Sequence, residues 1–220
     1  AADADDPESY DFKKVDELLG DMAQYPGVRP AKGSLFGTTR FAFQGAFDIG
    51  YGECHVETDA MTAIADIAKW SKVVVNLLKH TNKSLLAAAD PWLLADQSAK
   101  DFVLQYVEFV ADPLGRGGYA DHGGVAAVAS DFQVFGAAVR AGFPAQEVTG
   151  ADGKPTQQFP IRIVSPSFLV KTTKDAETAV GEFLQILKDD DALGLVDVVA
   201  YETVAASPAE NQELAKAVRA

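Results

Sequence analysis

The chain has 220 residues, 48% hydrophobic and 23% charged, a balance that supports a packed core and confines expected disorder to the extreme N-terminus. Thirty-two acids against nineteen bases give a formal charge of -13, which opposes binding to nucleic acid or to an anionic membrane, and Lys and Arg are scattered with no basic stripe. The single cysteine, Cys54, excludes an internal disulfide and a multi-thiolate metal site, and charges interrupt every apolar run short of the ~18 residues a membrane span needs.

Taken in order, residues 1 to 9 are small and acidic and read as a flexible N-terminus. The start at Ala-Ala-Asp without methionine fits either a processed mature chain, exported or lodged in an organelle lumen, or a trimmed one. Asp11 caps a first helix whose apolar face is Phe12, Val15, Leu18, Leu19 and Met22, and Tyr25-Pro26-Gly27 stops it. From Arg40 to Gly50 alternation around Phe41, Phe43, Phe47 and Ile49 predicts a strand bent at Gln44-Gly45. Thr58 caps the longest helix, residues 59 to 80, with Ile64, Ile67, Trp70, Val74, Leu77 and Leu78 in one stripe and Lys79 and His80 complementing its C-terminal dipole. A short helical segment follows from Leu85 to Ala89, before Asp90-Pro91. Ser98 and Asp101 then cap a helix bearing Phe102, Tyr106, Phe109 and Val110.

Val125, Val128, Phe132, Phe135 and Val139 recur at helical spacing among alanines, and Gly142 ends that helix ahead of Pro144. Gln146 to Thr149 against Phe159 to Val164 reads as a hairpin whose polar tip holds the turn dipeptide Asp152-Gly153. Phe168 to Val170, a helix over about 175 to 188 burying Val180, Phe183, Leu184 and Leu187, and Leu195 to Val204 form a strand, helix, strand unit, whose strands are expected to be parallel. Ser207, Pro208 and Glu210 announce a last helix. The expected fold is α+β and helix-rich. A long central helix and several further helices pack on a small mixed sheet, with a C-terminal strand-helix-strand unit and a protruding hairpin. The predicted organisation is a flexible tail at 1–9, a mostly helical subdomain at 10–113, a glycine-rich connector at 114–124 and an α/β subdomain at 125–220 sharing one core with the first.

Candidate chemistry centres on the loop from Gly115 to Gly124, where Arg116, Tyr119 and His122 stand ahead of the Val125 helix. Backbone amides at a helix start together with a guanidinium can hold a phosphate or carboxylate. The loop matches neither established phosphate-binding glycine pattern, so it reads first as a connector whose glycines permit positive φ and second as a ligand site. Cys54 and His55 are adjacent, so in extended backbone they point to opposite faces and do not form a nucleophile and base pair. His55, His80 and His122 lie on separate elements with no metal-ligand spacing, and Asp189-Asp190-Asp191 lacks the alternation of a calcium loop. The residues leave any cofactor unidentified, no family motif can be quoted, and no serine elbow or zinc helix is present.

Three functions are compatible with these residues. The first is a non-enzymatic structural or protein-interaction protein that self-associates or holds a protein partner, with the tip at 150 to 158 as an assembly arm. The second is an enzyme or binder of a small anionic ligand at Arg116, Tyr119 and His122. The third is a carrier of an apolar chromophore or lipid, suggested by aromatic clusters at Phe41, Phe43 and Phe47, at Phe102, Tyr106 and Phe109, and at Phe132 and Phe135.

Overall fold

A computed structural model describes residues 4–13, 15–17, 40–42, 66–92, 104–115, 118–149, 153–203 and 207–219. The chain divides into two compact units. The first comprises Ala1–Phe41, Ala68–Val107 and Ala138–Arg162; the second comprises Ala42–Ile67, Glu108–Ala137 and Ile163–Ala220. The architecture is the expected helix-rich α+β fold. Its strands are β1 (Arg40–Ala42), β2 (Tyr106–Glu108), β3 (Gln146–Thr149), β4 (Pro155–Gln158), β5 (Arg162–Val164), β6 (Phe168–Val170) and β7 (Tyr201–Thr203). They form one three-stranded sheet in the order β1-β2-β5 and two pairs, β3-β4 and β6-β7.

In the first unit the main helix is α1 (Ile67–Thr81), and the residues 59 to 65 expected to precede it lie outside the described residues. Trp70, Val74 and Leu78 follow one another at four-residue spacing and are buried, flanked by Ser71 and Val75, so this part of the predicted stripe faces inward, while Ile67 and Leu77 are half-buried and Ile64 lies outside the described residues. Asn82 closes the helix: its side-chain amide and its backbone N–H both donate to the Leu78 carbonyl at 2.9 Å, and its Oδ1 accepts from the Leu104 N–H. Asp11 performs the predicted capping role, its carboxylate accepting from the Lys13 N–H at 3.0 Å, with residues 13 and 15–17 helical. The N-terminal tail expected to fray carries specific contacts from Ala4 onward. Ala4 is buried, and Asp6 caps a tight turn over Pro7–Ser9 by accepting from the Glu8 N–H.

Three local expectations of this unit are corrected. The helix predicted from Leu85 to Ala89 is a single tight turn, Lys83–Leu85. The next helical residues, 91 and 92, start where Asp90 accepts from the Trp92 N–H with Pro91 at the first position. Tyr106–Glu108 is strand rather than helix, and Phe109 and Val110 follow it in non-helical backbone. Val107, Glu108, Phe109 and Val110 are all buried, and a strand buried on both faces loses the alternation that would reveal it. The hairpin partner of β3 is β4, with Gln146 opposite Gln158 and Thr149 opposite Pro155, rather than Phe159 to Val164. The polar residues stay in the ribbon, while Ile161, Ile163 and Val164 leave it to be buried, and the Arg162 N–H donates to the Gln105 carbonyl beside β2. Gly153 has φ +77°, as the predicted turn requires.

In the second unit, α2 (Gly124–Gly142), most of which belongs here, buries Val125, Val128, Phe132, Phe135 and Val139, the predicted stripe without exception. Phe132 is the centre of a ring cluster, with centroids 5.9 Å from Phe109, 6.3 Å from Phe135 and 5.2 Å from Phe183, and Phe183 in turn meets Phe168 at 5.6 Å. Burying each ring contributes about 1.5–3 kcal/mol. The C-terminal unit has the expected parallel topology, Phe168 opposite Tyr201 and Val170 opposite Thr203. Between these strands run a helical turn, Thr173–Asp175, a π-helical stretch, Ala176–Gly181, and α3 (Glu182–Asp189). Leu195, expected to open the second strand, ends a tight turn, Leu193–Leu195, and the strand itself is Tyr201–Thr203. The Asp189 to Asp191 run ends α3: Asp191 takes φ +56°, its N–H donates to the Lys188 carbonyl, and the Ala192 N–H reaches the Leu187 carbonyl at 2.7 Å. The last helix, α4 (Pro208–Arg219), starts as predicted, the Ser207 hydroxyl accepting from the Glu210 N–H at 3.2 Å.

Candidate functional site

The glycine loop of the second unit is built on backbone bonds that use four of its amides internally. The Gly115 N–H donates to the Asp112 carbonyl and carboxylate, each at 3.2 Å. The Tyr119 N–H reaches the Pro113 carbonyl at 3.0 Å, and the N–H groups of His122 and Gly124 both reach the Tyr119 carbonyl. Gly118, Gly123 and Gly124 all have positive φ, the conformational use expected of them. The three residues singled out in the sequence have different fates. Tyr119 is buried, and its hydroxyl donates to Asp131 on α2 at 2.8 Å. His122 is exposed on the turn. Arg116 lies outside the described residues, as do Cys54 and His55. Burial holds the Asp131 carboxyl above the ordinary carboxylate range, against the smaller lowering effect of the Tyr119 hydroxyl. The pair fixes the loop to the helix that follows it.

Of the aromatic clusters, Phe109, Phe132 and Phe135 pack ring on ring in the core of the second unit. The side chain of Phe41 and all of Phe43, Phe47 and Phe102 fall outside the described residues. Asp190 accepts from Gln133 at 2.8 Å and Asp189 from Gln185 at 2.7 Å, both at the surface. Among the described residues no group of three His, Cys, Asp or Glu side chains is placed to hold a metal ion, and no helix is long and apolar enough to cross a membrane.

A cleft of about 690 Å³ in the first unit, which sequence reasoning missed, brings together Pro7, Glu8, several of the described residues from Tyr10 to Glu17, His80 and Trp92. Asn76, buried on α1, organises one side of it. Its amide donates to the Tyr10 hydroxyl at 2.9 Å and to the Ala4 carbonyl, and the Tyr10 hydroxyl itself donates to the Ala4 carbonyl at 3.0 Å. Phe12 stacks on the Tyr10 ring with centroids 5.3 Å apart and on the His80 imidazole at 4.0 Å. Trp92 meets Tyr10 edge-on at 5.1 Å. His80 is therefore no mere complement to a helix dipole. It is buried, and its Nε2 lies 2.6 Å from Asp16 Oδ1. The usable signal in the sequence was the density of aromatic and acidic residues between Asp6 and Glu17, which a single helix face does not require.

The chain matches no protein-family model, no curated protein and no solved structure.

Proposed function

We propose that the chain is a non-enzymatic interaction protein that assembles through the β3-β4 hairpin. The observation that supports this reading is the exposure of the ribbon: of its eight paired residues only Val148 is half-buried, and among the described residues each strand pairs only with the other. A two-stranded ribbon with little apolar burial is marginal in water, and each of its outer edges offers a row of backbone donors and acceptors to another chain. Pro155 and Glu147 blunt parts of those edges, which favours a limited pairing over open-ended aggregation. A chain of charge -13 repels its own copies, so association through the arm strengthens as salt screens that repulsion.

Light scattering during size exclusion tests this. The full chain is expected to show a mass that rises with concentration and with salt. A variant with residues 147–157 replaced by a short glycine linker is expected to stay monomeric with its thermal transition retained. A strictly monomeric full chain at high concentration and high salt would overturn the reading.

A further inference from the structure

We infer that the cleft of the first unit binds a small organic cation, a substituted ammonium with an apolar or aromatic body. This inference rests on the residues lining that cleft and is independent of the hairpin. Three observations carry it.

The first is charge. Among the described lining residues, the carboxylates Glu8, Asp11, Asp16 and Glu17 stand against one ammonium, Lys13, and all five residues are exposed. Such a rim repels anions and attracts cations before contact, and the net charge of the whole chain has the same sign. The second is the surface beneath the rim. Tyr10 and Phe12, both half-buried, stack on one another, His80 covers a face of Phe12 and the buried Trp92 meets Tyr10 edge-on, so a cation would meet the part of each ring that this packing leaves uncovered. A bare metal ion wants converging oxygen ligands, and no such convergence exists among the described residues. The third is preorganisation. The Tyr10 ring is pinned at its hydroxyl by Ala4 and Asn76, and the Phe12 ring is held on an imidazole that Asp16 in turn fixes. A ligand therefore finds the rings already ordered and avoids much of the entropic cost of arranging them.

Asp16 serves both ends of this arrangement. Its side chain is 44% exposed; Oδ1 is committed to His80, while Oδ2 has no hydrogen bond among the described residues and need give up only water to meet a cation. The volume is in the range that accommodates a drug-sized molecule.

Isothermal titration with benzyltrimethylammonium, benzyl alcohol and benzoate at low ionic strength tests the inference. The cation is expected to bind saturably, the neutral alcohol at least about 5-fold more weakly, and benzoate not at all. Phe12→Leu is expected to weaken the cation about 5-fold. The double variant Glu8→Gln, Glu17→Gln alters only exposed carboxylates, so it reads the electrostatic part even where Phe12→Leu compromises folding; it is expected to cost about 3-fold, an effect that added salt erases in the parent chain. Equal affinity for cation and alcohol, or absence of saturable cation binding, overturns the inference. The hairpin-excised variant is expected to bind the cation with unchanged affinity, so failure of either proposal leaves the other standing.

Discussion

Gly142 offers a test of packing in which two opposing effects can be weighed. It is the last residue of α2, and a Cβ placed there lies 2.6 Å from Val75 Cγ1, about 0.8 Å inside ordinary contact at 3.4 Å. Val75 is 8% exposed and sits within α1, where a valine holds one rotamer about 90% of the time, so its methyl has nowhere to turn. Replacing a helical glycine by alanine gains at most about 1 kcal/mol, and less at a helix end. Overpacking a rigid contact costs about 1–3 kcal/mol. The clash wins, so Gly142→Ala is expected to destabilise by about 1–2 kcal/mol and to lower the melting temperature by about 3–6 °C. Gly136, in the middle of the same helix, is the control. There the added Cβ meets Leu195 Cδ1 at 3.2 Å and Cβ at 3.3 Å, a shortfall of a few tenths of an ångström that a less rigid partner can absorb. Gly136→Ala is expected within about 0.5 kcal/mol of the parent, because the helix gain offsets the adjustment. Urea denaturation followed by circular dichroism reads both. The decisive measurement is the cycle with Val75→Ala, which opens the space: the double variant should lose clearly less than the sum of the single losses. A Gly142→Ala chain as stable as the parent, or strictly additive losses, would refute the steric argument.

Two further expectations follow from the second unit. The raised Asp131 pKa means that the folded chain binds this proton more tightly than the unfolded one. Stability therefore falls as pH rises from about 3.8 through the folded value, and the cost is fully present at neutral pH. Asp131→Asn keeps an acceptor for the Tyr119 hydroxyl and removes that cost, so it should be at least as stable as the parent at neutral pH and show a flatter profile in that acid window. Denaturation midpoints across pH check this, and a marked loss of stability at neutral pH would contradict it. Phe183→Ala removes a fully buried ring in contact with Phe132 and Phe168, and should cost about 3–5 kcal/mol by urea titration; a loss below about 1.5 kcal/mol would mean that the cluster is loosely packed.

What the sequence revealed and what it concealed divide along a physical line, the range of the interactions involved. The α2 stripe and the Ser207 start signal are local, and each was readable because side chains a few residues apart decide it. The parallel pairing of β6 and β7 is nearly local, since a strand, a helix and a second strand with short links have one favoured handedness. The strand at Tyr106 concealed itself through burial on both faces. The β3-β4 register was misjudged because polar Pro155 to Gln158 looked like a loop, while the apolar segment after it belongs to another sheet. Tyr119 illustrates the same limit at a candidate site. A tyrosine in a glycine loop has one appearance in sequence whether its hydroxyl faces a ligand or a structural carboxylate, and Asp131, twelve residues on, decides the matter. The cleft lay further out of reach, because the contact between His80 and Asp16 spans 64 residues, and that between Tyr10 and Asn76 spans 66. No periodicity announces such pairs. They exist because α1 presents two polar side chains, Asn76 and His80, on the turn where burial demands partners, and the N-terminal segment supplies those partners together with its own aromatic rings. Once burial is known, a buried asparagine and histidine four residues apart on one helix ask for a second segment of chain, and here that segment is the aromatic and acidic stretch that ends at Glu17.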